Sequence, residues 1–122
     1  MERAGRSLAE GVWDLLPRAS FVPYHGPSDK PLPEQLFAGR RLVLCDAVVN
    51  SGRSVREALE ELLSLRPAQV AVLCLVMQEA AQELARKFPL VRFAAPRVSS
   101  NRFTGSKGTD TGNRLYNNTC LD

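Results

Sequence analysis

Two uninterrupted apolar runs, Leu42 to Cys45 and Val70 to Met77, bracket a stretch whose apolar residues recur at helical spacing. That order restricts the fold more than any other feature of the chain. A short run without polar alternation suits a strand buried on both faces, as strands are in a parallel sheet. Between the runs, Val55, Ala58, Leu59, Leu62 and Leu63 form one helical face, ended by Pro67. Strand, helix and strand in that order make a βαβ unit with its helices on the faces of the sheet. Ala81, Leu84, Ala85 and Phe88 mark a shorter helix within Gln78 to Lys87, and Val91 to Ala95 reads as another strand. The fold class expected is α/β with a parallel sheet, residues 1–122 forming one domain.

Upstream the pattern is weaker. Ser7 with Glu10 matches a capping box, and Leu8, Val12, Leu15 and Leu16 give an apolar stripe that Pro17 ends. Ser20 to Tyr24 reads as a short strand weakened by Pro23, followed by a proline-rich connection from His25 to Pro33. Beyond Pro96 the chain is polar and glycine-bearing through Gly112, with a short helix expected from Asn113 to Tyr116.

Charge and cysteine usage exclude several classes. The net charge is +3 and the basic residues are scattered from Arg3 to Arg114, so no nucleic-acid interface is expected. Cys45, Cys74 and Cys120 show neither metal-ligand spacing nor a disulfide framework, which favours a reducing, cytoplasmic setting. No apolar run is long enough to span a membrane, and no membrane association is expected. His25 reads as solvated, Trp13 as a core or interface residue, and Arg56, Glu57, Glu60 and Glu61 as a solubilising helix face.

In open parallel sheets, ligands collect beyond the C-terminal strand ends. Three segments fall there: Asp46 to Ser54, the residues after Met77, and Arg97 to Gly112. The first says most. An apolar strand ends in Asp46, a small polar loop follows, and Ser54 with Glu57 matches a second capping box. Amides at a helix start, with the Ser51 and Ser54 hydroxyls, suit a phosphate dianion, and the Asp46 carboxylate suits sugar hydroxyls. The same residues suit an ordinary capped turn equally well. The spacing is that of neither a nucleotide P-loop nor a dinucleotide fingerprint.

Leu42 to Ser54 resembles the ribose-5-phosphate motif of phosphoribosyltransferases, an apolar strand, an acid and an Ala-Thr-Gly-Gly-Ser loop before a helix. Asp46 followed by Ala47, rather than by a second acid, is similar to the uracil branch, although Arg53 stands in place of the second glycine. Lys107 to Tyr116 resembles that branch's terminal motif through Asp110, Gly112, Arg114 and Tyr116, with departures at Thr109 and Asn113. Arg3, Ala4 and Gly5, with Gly11, Leu15, Leu16, Pro17 and Ala19, resemble its diphosphate loop and the helix behind it.

The resemblance implies a type I phosphoribosyltransferase fold, doubly wound in flavodoxin-like order, lacking the family's N-terminal arm and first strand. It implies transfer of a phosphoribosyl group from phosphoribosyl diphosphate to uracil, giving uridine monophosphate and diphosphate in pyrimidine salvage. Asp46 and Asp110 would be the catalytic residues, and Asn50, Ser51, Gly52, Arg53 and Ser54 would hold the 5′-phosphate. Arg3, Ala4, Gly5 and Arg6 would hold diphosphate, and Gly108, Thr109, Asp110, Thr111 and Gly112 would hold uracil. Mg2+ would arrive mainly with the substrate, near Asp110. The partners implied are these small molecules. An unpaired sheet edge adds either self-association or completion by an N-terminal partner segment. The alternative is a non-catalytic nucleotide- or sugar-phosphate-binding module, or an inactive fragment, which Arg53, Asn113 and the missing strand favour.

Overall fold

The computed structural model describes residues 4–28 and 30–100. The elements run α1 (Ala4–Leu15), β1 (Arg41–Val49), α2 (Arg53–Ser64), β2 (Gln69–Gln78), α3 (Gln82–Lys87), β3 (Arg92–Ala94) and β4 (Arg97–Ser99). Single 3-10 turns occur at Glu34–Leu36 and Glu79–Ala81.

All strand pairs among the described residues are parallel. β1 meets β2 from Arg41 opposite Gln69 to Val49 opposite Met77. The far side of β2 is shared, with β3 pairing from Ala71 to Leu73 and β4 from Val76 to Gln78. Thus, among the described residues, β2 is central and β1 stands at one end of the strand order. The expected parallel α/β class is what the chain forms, because the most apolar run takes the position with neighbours on both sides. Val72 and Cys74 on β2 are fully buried, as are Val55, Ala58 and Leu59 on α2. Burying a side chain the size of Leu59 contributes about 1.5–3 kcal/mol. Leu63, assigned to the same face, lies a step round the helix and is exposed.

The N-terminal expectations need correction. α1 starts at Ala4, so Ser7 lies inside the helix and caps nothing; Glu10 instead pairs with Arg6 at 2.8 Å. Leu15 and Leu16 point to solvent rather than into a core. Ser20 to Tyr24 is not a strand. Pro17 and Pro23 donate no amide hydrogens, and local contacts hold the segment instead. The Trp13 indole N–H donates to the Ala19 carbonyl at 2.8 Å, and the Trp13 and Phe21 rings lie 5.6 Å apart. The Tyr24 hydroxyl donates to Glu61 on α2 at 2.6 Å. Glu61 is therefore a docking point, not merely a solubilising residue. Burial first, then this bond to Glu61, raises the Tyr24 pKa well above the usual phenol range.

Downstream the differences are smaller. The helix expected from Gln78 is a 3-10 turn followed by a six-residue α3. β4 is an additional strand whose three residues, with Val98 the only apolar one, carry no readable period. Residues 113–116 lie outside the described residues.

Candidate functional site

β1 does not end at its acid. It continues past Asp46 to Val49, with Asp46 opposite Cys74, so the expected loop from Asp46 shrinks to residues 50–52. Ladder pairing wins because Val48 and Val49 are as suited to a strand as the residues before Asp46. The half-buried Asp46 carboxylate accepts the Ala47 amide hydrogen at 2.8 Å. Burial, and then the nearby Asp46 charge, pushes the Cys74 thiol up to about 11. Burial likewise raises Cys45.

Gly52 is the residue that starts α2. Its φ of 77° lies in the left-handed region, where glycine is at ease and other residues are strained. Space is not the reason, since an added Cβ would sit 3.4 Å from Leu84, an ordinary contact. The first helical bond runs from the Arg56 amide to the Gly52 carbonyl at 2.8 Å. Ser54 is thus the second helical residue and not a cap, correcting the second capping box. Ser51 takes part of that role, its hydroxyl accepting the Arg53 amide hydrogen at 3.4 Å. The Arg53 guanidinium is 77% exposed and pairs along the helix with Glu57 at 3.0 Å. The remaining first-turn amides of α2 have no partner within the helix, the condition for an anion site at a helix start.

The first turn of α1 reaches the same neighbourhood. Gly5 is buried against β1 so closely that an added Cβ would lie 2.5 Å from the Cys45 carbonyl oxygen and 3.0 Å from Asp46 Cα. Gly5 and Asp46, far apart in sequence, therefore share one corner. Arg6 is exposed and turned to Glu10.

Gln78 opens the second expected ligand segment, the residues after Met77, without having been singled out. It follows Met77 just as Asn50 follows its register partner Val49, so the two amides sit at the ends of neighbouring strands. Gln78 is buried, and both the Gln78 Oε1 and Asn50 Oδ1 atoms are enclosed without a hydrogen-bond donor. Enclosed acceptors of this kind are satisfied by an added hydroxyl, N–H or water. A polar residue closing an apolar strand run was the available sequence signal.

Arg3, Gly108, Thr109, Asp110, Thr111 and Gly112 lie outside the described residues. Among the described residues, no three His, Cys, Asp or Glu side chains converge as metal ligands, and no helix is long and apolar enough to cross a membrane.

Two curated relatives share one stretch with this chain. The bifunctional protein PyrR of Pseudomonas savastanoi pv. phaseolicola is 46% identical over 57 residues, and that of Pseudomonas fluorescens 44%. The match spans 46% of this chain and 32% of each relative. The solved structure of the AQ2163 protein from Aquifex aeolicus matches with a TM-score of 0.74 at 24% identity, covering 94% of this chain and 62% of that one. At that identity the likeness is one of fold. A family model described as uracil phosphoribosyltransferase matches residues 1–118, nearly the whole sequence. The parallel sheet, the Asp46 strand leading into a glycine-started helix, and this match agree: the chain belongs to the uracil phosphoribosyltransferase family.

Proposed function

We propose that the crevice at the C-terminal ends of β1 and β2 binds phosphoribosyl diphosphate and transfers its phosphoribosyl group to uracil. The observation that carries this reading is the corner where Gly5 lies on the backbone of Cys45 and Asp46, beside the glycine-started helix. Two segments that the family resemblance assigns to diphosphate and to ribose phosphate thereby meet.

In this reading the first-turn amides of α2, with Ser51 and Ser54, hold the 5′-phosphate, and Asp46 accepts the ribose hydroxyls. Residues 4–6 with Arg3 hold diphosphate. Glycines 108 and 112, with Thr109, Asp110 and Thr111, read the uracil edge. The bond from the anomeric carbon to diphosphate breaks, a bond to a uracil ring nitrogen forms, and that nitrogen loses its proton. Catalysis is chiefly positioning and stabilisation of a cation-like sugar. Magnesium would be carried in on diphosphate, as is usual for that ion. Cys45 and Cys74, both buried thiols, are in keeping with a cytoplasmic setting.

A magnesium-supplemented assay with radiolabelled uracil tests the proposal. Turnover should fall on the order of a hundredfold or more in both Asp46→Ala and Asp110→Ala, a range typical for loss of key electrostatic groups. Wild-type turnover in both variants would overturn it. Arg53, standing at the start of α2 where the family resemblance has a second glycine, favours a second reading, binding without turnover. Phosphoribosyl diphosphate would then raise the melting temperature while no uridine monophosphate formed.

A further inference from the structure

We propose that the side-chain amides of Gln78 and Asn50 form a specificity contact for the acceptor base, their carbonyl oxygens accepting its ring N–H groups. The inference rests on the phosphoribosyl-transfer reading and names two residues of this chain that would choose the base.

The placement comes from the sheet. β1 and β2 keep register up to Val49 opposite Met77, so Asn50 and Gln78 stand side by side where the two strands end. On its other side Gln78 lies opposite Ser99 of β4. The connections that leave β1 and β2 also meet. At Gly52, an added Cβ would lie 3.4 Å from Leu84 and 3.6 Å from Ala81. The C-terminal strand ends of an open parallel sheet are where such folds take their ligands.

The chemistry comes from what is unsatisfied. Gln78 is only 6% exposed, and among the described residues it is the one polar side chain in the buried set. Its Oε1 atom and the Asn50 Oδ1 atom are enclosed, and neither has a hydrogen-bond donor. Amide oxygens only accept, so whatever completes them must bring an N–H or O–H group. The parts of the two substrates differ in this respect. Ionised phosphate and diphosphate oxygens are themselves acceptors and would oppose these carbonyls. The sugar hydroxyls have a stronger acceptor in the Asp46 carboxylate. The remaining donors are the ring N–H groups of the base. Uracil presents its N3–H between two carbonyls, and a carboxamide matches that edge. The amide oxygen accepts the N–H while the amide NH2 group donates to the adjacent carbonyl.

Asn50 is half-buried and Gln78 is buried, so entry of the base goes with a shift of the turn at residues 50–52. In the free chain the enclosed oxygens are destabilising, and ring N–H groups relieve them. A base without such a donor leaves them unpaired, which is how the pair discriminates.

Steady-state kinetics of the full chain with uracil, phosphoribosyl diphosphate and magnesium test this. Gln78→Leu removes the amide at similar volume. The KM for uracil should rise about tenfold, while the KM for phosphoribosyl diphosphate stays within about twofold of wild type. The melting temperature of the free variant should be unchanged or raised, because an enclosed acceptor without a donor is lost. 3-Methyluracil keeps both carbonyls and lacks the N3–H. It should compete about tenfold more weakly than uracil binds on the wild type, and that gap should narrow in Gln78→Leu. Asn50→Ala should raise the uracil KM in the same way, and it decides should Gln78→Leu fail to fold.

An unchanged uracil KM in the variants overturns the proposal. So does an equal rise in both KM values with a lowered melting temperature, which would make Gln78 a structural residue of the sheet. Wild-type turnover with equal binding of uracil and 3-methyluracil overturns this inference alone. If the wild-type chain forms no uridine monophosphate, the phosphoribosyl-transfer reading falls and this inference with it.

Discussion

α1 and α2 are both twelve residues long and both carry an apolar stripe, yet they end in different surroundings. α2 buries Val55, Ala58, Leu59 and Leu62 against the sheet. α1 leaves Trp13 and Leu15 exposed and Leu8, Ala9 and Val12 half-buried, with Gly5 packed closely on β1. An amphipathic stripe states that a helix has a face to bury; it does not state that a partner is present. α2 connects two paired strands, and its partner surface is guaranteed by the βαβ crossover. α1 lies against β1, which among the described residues has a strand on one side only, so no crossover fixes its partner surface in the same way.

Substitutions at equivalent leucines give the largest test of this contrast. Leu59→Ala, at 0% exposure, should lower stability by about 2–5 kcal/mol in urea unfolding. Leu15→Ala, at 81% exposure, should change it by less than about 0.5 kcal/mol. Comparable losses at both sites would break the comparison.

Thiol chemistry separates the regions next. With the Cys74 pKa pushed up to about 11 from 9, its thiolate fraction at pH 8 should be on the order of a hundredfold below that of an exposed cysteine. Timed alkylation with peptide mapping measures this. The folded chain holds that proton more tightly than the unfolded chain. The associated stability is therefore fully present below pH 9 and is lost as pH rises towards 11. Tyr24 acts in the same direction at higher pH. Cys74→Ala should flatten the alkaline fall between pH 9 and 11.

Within α1, two glycines sharpen the contrast further. Gly5→Ala drives a methyl group into the Cys45 carbonyl and should cost about 1–3 kcal/mol, with weakened binding of phosphoribosyl diphosphate. Gly11→Ala meets nothing within 4 Å and should instead stabilise the helix by up to about 1 kcal/mol. Thermal melts of the pair distinguish a packed corner from an open flank. A modest effect belongs to Tyr24→Phe, which removes the hydroxyl that ties the N-terminal segment to Glu61. A loss of about 0.5–1.5 kcal/mol is expected, and it should largely vanish in a Glu61→Ala background, whereas an unchanged loss there would show the two uncoupled.

The site was legible unevenly. Asp46, Asn50, Ser51 and Gly52 stood out because turn chemistry at a strand-to-helix junction is local. Their division between strand and loop did not, since Val48 and Val49 extend the ladder only when Val76 and Met77 are there to pair with them. Arg53 looked like a phosphate ligand or an obstruction, and its ion pair with Glu57 depends on where the helix starts. Gln78 gave little sign because its significance is its enclosure, a property of the neighbours rather than of the residue.

The sequence by itself determined the parallel α/β class, since continuous apolar runs alternating with an amphipathic face satisfy their burial in few other ways. It also determined that a glycine-bearing turn follows the Asp46 strand. Only the tertiary structure decided that Gly5 rests on Asp46, that Tyr24 docks on Glu61, and that Arg41 and Arg92 share one face of the sheet. Backbone hydrogen bonds and apolar periods act over a few residues, whereas the closeness of distant segments is set by packing, which no local pattern encodes.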